Sequence, residues 1–186
     1  MIDIETARLK LRRFTPNDLN DLYEIRADPD VMRYIGSGKP ESIEQVQTAF
    51  NKLLAHWEQH GFGRWAVLDK ESEKLIGWCG LAYLENTEDV EIGYGIAKSY
   101  WGKGLTSEAA AAVLKWGFEE LGLDHIVAVA WPDNVASRRV MDRLGMKYVK
   151  MAHNYHAEVV YYAIRREQYQ GASRTKNDAS FQSWRD

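Results

Sequence analysis

The sequence predicts one α+β domain, a mixed and mostly antiparallel central sheet flanked by helices. Three observations carry that expectation. The 186 residues fall in the range of a single domain. Hydrophobic periodicity alternates between strand-like and helix-like runs in the order β-α-α-β-β-β-α-β-α-β-β. Three strands follow one another in the middle while later helices separate strands, so the sheet holds both consecutive pairings and β-α-β crossovers.

The first strand is Arg8–Arg13, with Leu9 and Leu11 on one face and Arg8, Lys10 and Arg12 on the other. Thr15-Pro16-Asn17-Asp18 starts a helix: Thr15 is the N-cap, Pro16 takes the first helical position and Asp18 closes an acidic capping box. Leu19, Leu22 and Tyr23 form its buried stripe, and Asp28-Pro29 stops it. Ser42-Ile43-Glu44-Gln45 is a second capping signature. It opens a helix with Val46, Phe50, Leu53, Leu54 and Trp57 on one face, running to about His60, where Gly61 ends it. Trp65–Leu68, Leu75–Tyr83 and Val90–Ile96 are β-rich runs separated by polar turns. A glycine-rich turn, Trp101–Thr106, leads into a long helix from about Ser107 to Leu121. His125–Trp131 reads as a strand, Asn134–Leu144 as a helix closed by Gly145, and Met146–Met151 and Val159–Arg165 as the last two strands. These elements put the domain at residues 1–166. Residues 167–186 turn polar, with Gly171, Ser173, Thr175 and Asn177, and are expected to form a partly disordered tail.

Composition narrows the function classes. A hydrophobic fraction of 45% and a charged fraction of 27% are ordinary for a globular chain, which excludes wholesale disorder and fibrous repeats. A net charge of −3 gives no general pull toward nucleic acid. The single cysteine, Cys79, cannot form an internal disulfide, and its apolar strand suits a buried structural thiol better than a nucleophile. His56 and His60 share a helix face but have no third ligand in sequence, so no metal is expected. The opening Met1-Ile-Asp-Ile-Glu-Thr lacks the regions of a signal peptide, and no apolar run approaches the roughly 20 residues that span a bilayer. The expectation is a cytoplasmic protein with no membrane partner.

The chemistry concentrates in residues 90–109. This stretch is a strand, a glycine-containing loop and a helix start, an arrangement whose unpaired N–H groups and helix dipole form an anion site. Gly102 and Gly104 admit close approach of a phosphate, and Lys103 adds a cation. The spacing is neither a P-loop nor a complete G-x-G-x-x-G, since position 107 is Ser. A tight strand-to-helix turn with incidental glycines explains the loop about as well. On the strand itself Glu91, Gly93 and Gly95 share one face, and two glycines there mark a close approach of a ligand or another backbone.

Three segments together resemble the GNAT superfamily of acetyl-CoA-dependent N-acetyltransferases, in particular the branch of ribosomal-protein N-terminal acetyltransferases. They are Glu5–Arg13, the run from Glu91-Ile-Gly-Tyr to Tyr100-Trp-Gly-Lys-Gly-Leu-Thr-Ser-Glu-Ala, and Asn134–Met146. The resemblance covers about residues 5–166. It implies that Trp101, Gly102, Lys103, Gly104, Leu105 and Thr106 form the pyrophosphate loop, with Thr106 replacing the small residue of the family pattern. It further implies that the backbone near Ile96 binds the pantetheine arm and the thioester carbonyl, that Asn134 contacts the pantetheine, and that Ser137 lies near the CoA sulfur. Read without the resemblance, Asn134 is a good N-cap and Ser137 an ordinary first-turn residue.

The expected activity is transfer of an acetyl group from acetyl-CoA, as co-substrate, to a primary amine by direct attack. Glu91 either removes the amine proton, directly or through one water, or is a strand glutamate paired to a cation of a neighbouring strand. The rival reading is a non-catalytic acyl-CoA-binding regulatory module on the same fold. The acceptor is open between a protein N-terminus and a small-molecule amine, and the oligomeric state, a dimer included, is not selected by the sequence.

Overall fold

The computed structural model describes residues 3–169. Eight strands form one sheet in the order β1-β2-β3-β4-β5-β6-β8-β7. They are β1 (Ile4–Glu5), β2 (Leu9–Arg12), β3 (Arg64–Asp69), β4 (Leu75–Tyr83), β5 (Val90–Ile96), β6 (His125–Ala130), β7 (Lys147–Asn154) and β8 (Ala157–Arg165). The helices are α1 (Leu19–Arg26), α2 (Pro29–Met32), α3 (Ile43–His60), α4 (Leu105–Glu119) and α5 (Val135–Arg143). Every strand pair is antiparallel except β5 with β6. The mixed, mostly antiparallel sheet is the predicted one.

Local signals explain most boundaries. Ser42 and Gln45 exchange bonds at the start of α3, with Ser42 N donating to Gln45 Oε1 at 2.8 Å and Gln45 N to Ser42 Oγ at 3.4 Å. Gly61 ends that helix as expected. The expected first helix is divided instead. Pro16–Asp18 is a 3-10 turn in which Asp18 accepts from Thr15 N at 2.6 Å and from two Arg12 guanidinium nitrogens at 2.7 Å each. α1 follows, and Asp28 then caps the separate α2 because its carboxylate accepts from Asp30 N at 2.8 Å. Pro29 therefore opens a turn as well as closing one. The short strand β1, absent from the sequence reading, pairs with β2 at only two positions. α4 begins at Leu105 rather than near Ser107, so Leu105 and Thr106 belong to its first turn.

Two apolar layers cover the sheet. Trp65, Ile76, Leu81, Ile92, Val113, Leu114 and Ile126 belong to the core under α4 and α5. Phe14, Leu22, Val46, Phe50 and Trp78 belong to the core under α1 and α3. The pairing of β5 and β6 decides where the site is. The two strands meet in parallel at one register position, Glu91 opposite Val127, whereas β4 and β5 pair at seven. Beyond that point β5 and β6 part, and a cleft of about 720 Å³ opens at the divergence. Residues 166–169 add a helical turn that stacks Tyr169 on Phe118 at 5.1 Å. The rest of the expected tail, from residue 170, lies outside the described residues.

Candidate active site

One wall of the cleft is built from a row of residues crossing three strands. Arg64 on β3 lies opposite Gly80 on β4, which lies opposite Gly93 on β5. With no side chains in between, the guanidinium lies flat across the sheet: a Cβ on Gly93 would meet Arg64 Nη2 at 2.9 Å. In the next row the Trp78 ring occupies the space over Gly95, where a Cβ would come within 2.3 Å. The strand glycines thus accommodate the protein's own side chains as well as bordering the cleft.

The consequence is the placement of Glu91. Arg64 Nη2 donates to its Oε1 at 2.7 Å, and the Tyr155 hydroxyl donates to the same oxygen at 2.6 Å. Glu91 is 4% exposed, one of two buried acidic or basic side chains among the described residues. Tyr155 sits in the β7–β8 turn, where it and His156 take φ of 51° and 59°, the two left-handed positions of a tight hairpin. Its amide donates to Glu85 at 3.1 Å, which orients the turn toward β5. Burial pushes the Tyr155 hydroxyl pKa up and the neighbouring Glu91 charge adds to this, so Tyr155 stays a donor. The cation partner expected for a structural glutamate is therefore present, on a residue that also borders the cleft.

The opposite face of β5 carries a second pair. The Tyr94 hydroxyl lies 3.0 Å from Ser137 Oγ and donates to the Ser137 carbonyl at 3.3 Å. Burial pushes its pKa up. Asn134 caps α5, its Oδ1 accepting from Ser137 N at 3.1 Å, which fixes the first turn and the serine on it. Asn134 and Ser137 both line the cleft.

The third component is the glycine loop. Gly102 and Gly104 adopt φ of 74° and 77°, a region side chains disfavour, and a Cβ on Gly102 would meet nothing within 4 Å. Gly104 is the N-cap of α4 and has no side-chain bond, so the first amides of α4 have no cap acceptor. The loop is anchored from outside. Arg8 donates to the Lys103 carbonyl at 2.9 Å, and Glu108 accepts from Thr6 Oγ1 at 2.6 Å, Arg8 N at 2.9 Å and Arg8 Nε at 2.7 Å. Burial favours the protonated Glu108, but these donors outweigh it and hold its pKa low. Lys103 itself turns away, its ammonium 4.9 Å from the centre of the Tyr100 ring.

Of the residues singled out from the sequence, Glu91, Ile96, Trp101, Gly102, Gly104, Thr106, Asn134 and Ser137 line the one cleft. Lys103 does not, and Leu105 is buried in the core. The Ile96 carbonyl accepts from the Trp101 indole at 2.7 Å, which leaves one lone pair for a ligand. Sequence reasoning missed Arg64, Tyr94, Tyr155 and the Arg8–Glu108 anchor. The small-residue row Gly80–Gly93 opposite an arginine was the available signal for Arg64.

Cys79 is buried in β4, and burial pushes its thiol pKa up, away from the thiolate that a nucleophile requires. Cys79→Ala should retain near-normal turnover. An acetylated Cys79 found by mass spectrometry during turnover would contradict that. The His56 and His60 rings meet tilted, centroids 4.5 Å apart, beside Phe62 and Tyr83. Among the described residues, no helix is long and apolar enough to cross a membrane.

Residues 8–147 match the family described as acetyltransferase (GNAT) domain. The uncharacterised N-acetyltransferase YoaA of Bacillus subtilis is 34% identical over 77% of this chain and 82% of its own. A solved GNAT-family acetyltransferase from Bacillus anthracis superposes with a TM-score of 0.77 at 30% identity, covering 89% of this chain and 99% of that one. RimL, a ribosomal L7/L12 α-N-protein acetyltransferase solved with coenzyme A, superposes at 0.75 over 88% of this chain and 98% of its own. Its identity is 18%, so that likeness is one of fold.

Proposed function

Because this chain belongs to the GNAT acetyltransferase family, we propose that it moves an acetyl group from acetyl-CoA to a primary amine by direct attack, with no acyl-enzyme. The observation that carries the reading is the divergence of β5 and β6 after Glu91 and Val127. It opens one cleft bounded by the glycine loop, the Tyr94–Ser137 pair and Glu91. The residues fit a CoA pyrophosphate: the space before Gly102 is empty of side chains, and the α4 amides lack a capping acceptor. The fold neighbour RimL was solved with coenzyme A, which supports coenzyme A as the class of ligand.

The chain's own groups then have separable roles. The amides of Gly102, Gly104, Leu105 and Thr106 hold the pyrophosphate, and Thr106 lines the same end of the cleft. The backbone near Ile96, together with Asn134, holds the pantetheine arm. Glu91, directly or through one water, takes the proton of the attacking amine, while Arg64 and Tyr155 fix where its carboxylate sits. Ser137 hydrogen-bonds the sulfur as negative charge develops on it, with Tyr94 as its hydroxyl neighbour. Holding both reactants in line supplies the proximity term. The acceptor is a protein N-terminus or a small amine, the catalytic domain spans residues 1–166, and the reaction is cytoplasmic.

Ser137 provides the test of the chemistry. A developing thiolate accepts a hydrogen bond more strongly than the ground-state thioester, so Ser137→Ala should lower kcat more than it weakens CoA binding. If only cofactor affinity falls, the serine hydroxyl serves binding or the first turn of α5 beside Tyr94, not the chemistry. If acetyl-CoA with a panel of primary amines gives no thiol release, the assigned reaction is wrong.

A further inference from the structure

A second cavity of about 250 Å³ lies beside the cleft. Its lining includes Arg26, Lys52, His56 and Arg64 and contains no carboxylate. Arg26 and Arg64 border both cavities, so the two spaces meet at these side chains. The size is well above the roughly 10–15 Å³ that admits one water, and a carboxylate on a short stem fits.

The charges of this wall are only partly compensated. Arg26 is held by Glu41 through bonds of 2.8 and 2.7 Å and lies over the Trp78 ring. Arg64 gives one nitrogen to Glu91. Lys52 has no ion-pair partner among the described residues. Two buried polar atoms of these lining residues, Arg64 Nε and His56 Nε2, have no hydrogen-bond partner. A buried donor without an acceptor is costly, so the lining arginine and histidine keep hydrogen-bonding capacity that an anion can use, next to the exposed Lys52 ammonium. Burial pushes the His56 pKa down, with His60 and Arg64 adding to it, so the ring favours its neutral form, in which one nitrogen carries a proton.

We propose that this side cavity binds a carboxylate carried by the acceptor. The amine substrate is then an amino acid or the N-terminus of an acidic peptide, with its nitrogen at Glu91 and its carboxylate on the far side of Arg64. A polyamine has no group for this cavity and meets there a positive wall whose Lys52 has no ion pair among the described residues. The inference rests on acetyl transfer occurring in the cleft, and it adds the substrate class.

The experiment compares four acceptors by acetyl-CoA-dependent thiol release: aspartate, aspartate diamide, a peptide beginning with Asp, and spermidine. Succinate, which carries no amine, is titrated into the protein by calorimetry. At least one carboxylated acceptor should exceed the diamide and spermidine about ten-fold in kcat/KM, and succinate should bind. The better of the free amino acid and the peptide identifies the source of the carboxylate. In Lys52→Met and His56→Phe that preference should shrink several-fold, through KM, and succinate binding should weaken. A preference for spermidine or the diamide, or a preference unchanged in both variants, overturns the subsite while leaving acetyl transfer standing. Absence of turnover with every amine, together with absence of succinate binding, removes both.

Discussion

Glu91→Gln is expected to lose roughly 10²–10⁴-fold in turnover while binding acetyl-CoA as the unsubstituted protein does. The glutamine is nearly isosteric, and its carbonyl oxygen can still accept from Tyr155, so the β7–β8 turn has reason to stay in place. What disappears is the group that takes a proton and the negative charge facing Arg64. Removing one member of a buried ion pair costs about 3–5 kcal/mol in folded stability, and the 26% exposure of the Arg64 side chain places this pair below that range. A melting curve taken beside the kinetics separates that effect from chemistry. A stable variant that binds acetyl-CoA and turns over at near the original rate leaves the proton to water and Glu91 to the architecture of β5.

Gly104→Val should abolish most CoA binding. At φ 77° a residue with a Cβ costs about 1–2 kcal/mol, and a β-branched one is worse placed still. Relief of that strain rotates the peptide planes that present the first α4 amides, so the anion site is lost along with the conformation. The ideal Cβ lies 3.8 Å from the Arg8 guanidinium, an ordinary contact, so the expected loss comes from the backbone and not from a clash with that brace. Calorimetry should show CoA affinity reduced by about tenfold or more, the equivalent of 1.4 kcal/mol. Unchanged affinity in a folded variant takes the loop out of the proposed site.

Local signals reached far into this structure. β4 and β5 lie where alternation and β-propensity placed them, and Ser42 caps α3 through the expected reciprocal bonds. Gly104 and Asn134 both act as helix caps, a role that depends on the residues next to them in sequence. What stayed illegible depends on register. Arg64 reaches Glu91 across 27 residues because two strands align Gly80 and Gly93 between them, and no periodicity within one segment encodes that alignment. Tyr155 reaches the same carboxylate from 64 residues away, through a turn whose geometry is set by the β7–β8 pairing. The sequence reading of Glu91 offered a base or an ion-paired strand residue. In the folded chain the ion pair and the cleft coincide, which is why the two readings could not be separated from the strand alone.

The single register position between β5 and β6 also has a mechanical meaning. Five strands lie on one side of that contact and three on the other, each group knitted by its own antiparallel ladders. Across the parting, α4 and the shared core beneath it hold the halves together, with side-chain bonds such as Tyr155 to Glu91 and Tyr94 to Ser137. A ligand lodged there acts as mortar in a seam, and its binding energy adds directly to cohesion between the halves, about 2.7 kcal/mol at a hundred times its dissociation constant. Rigidity across the seam therefore rises with the occupancy of the gap.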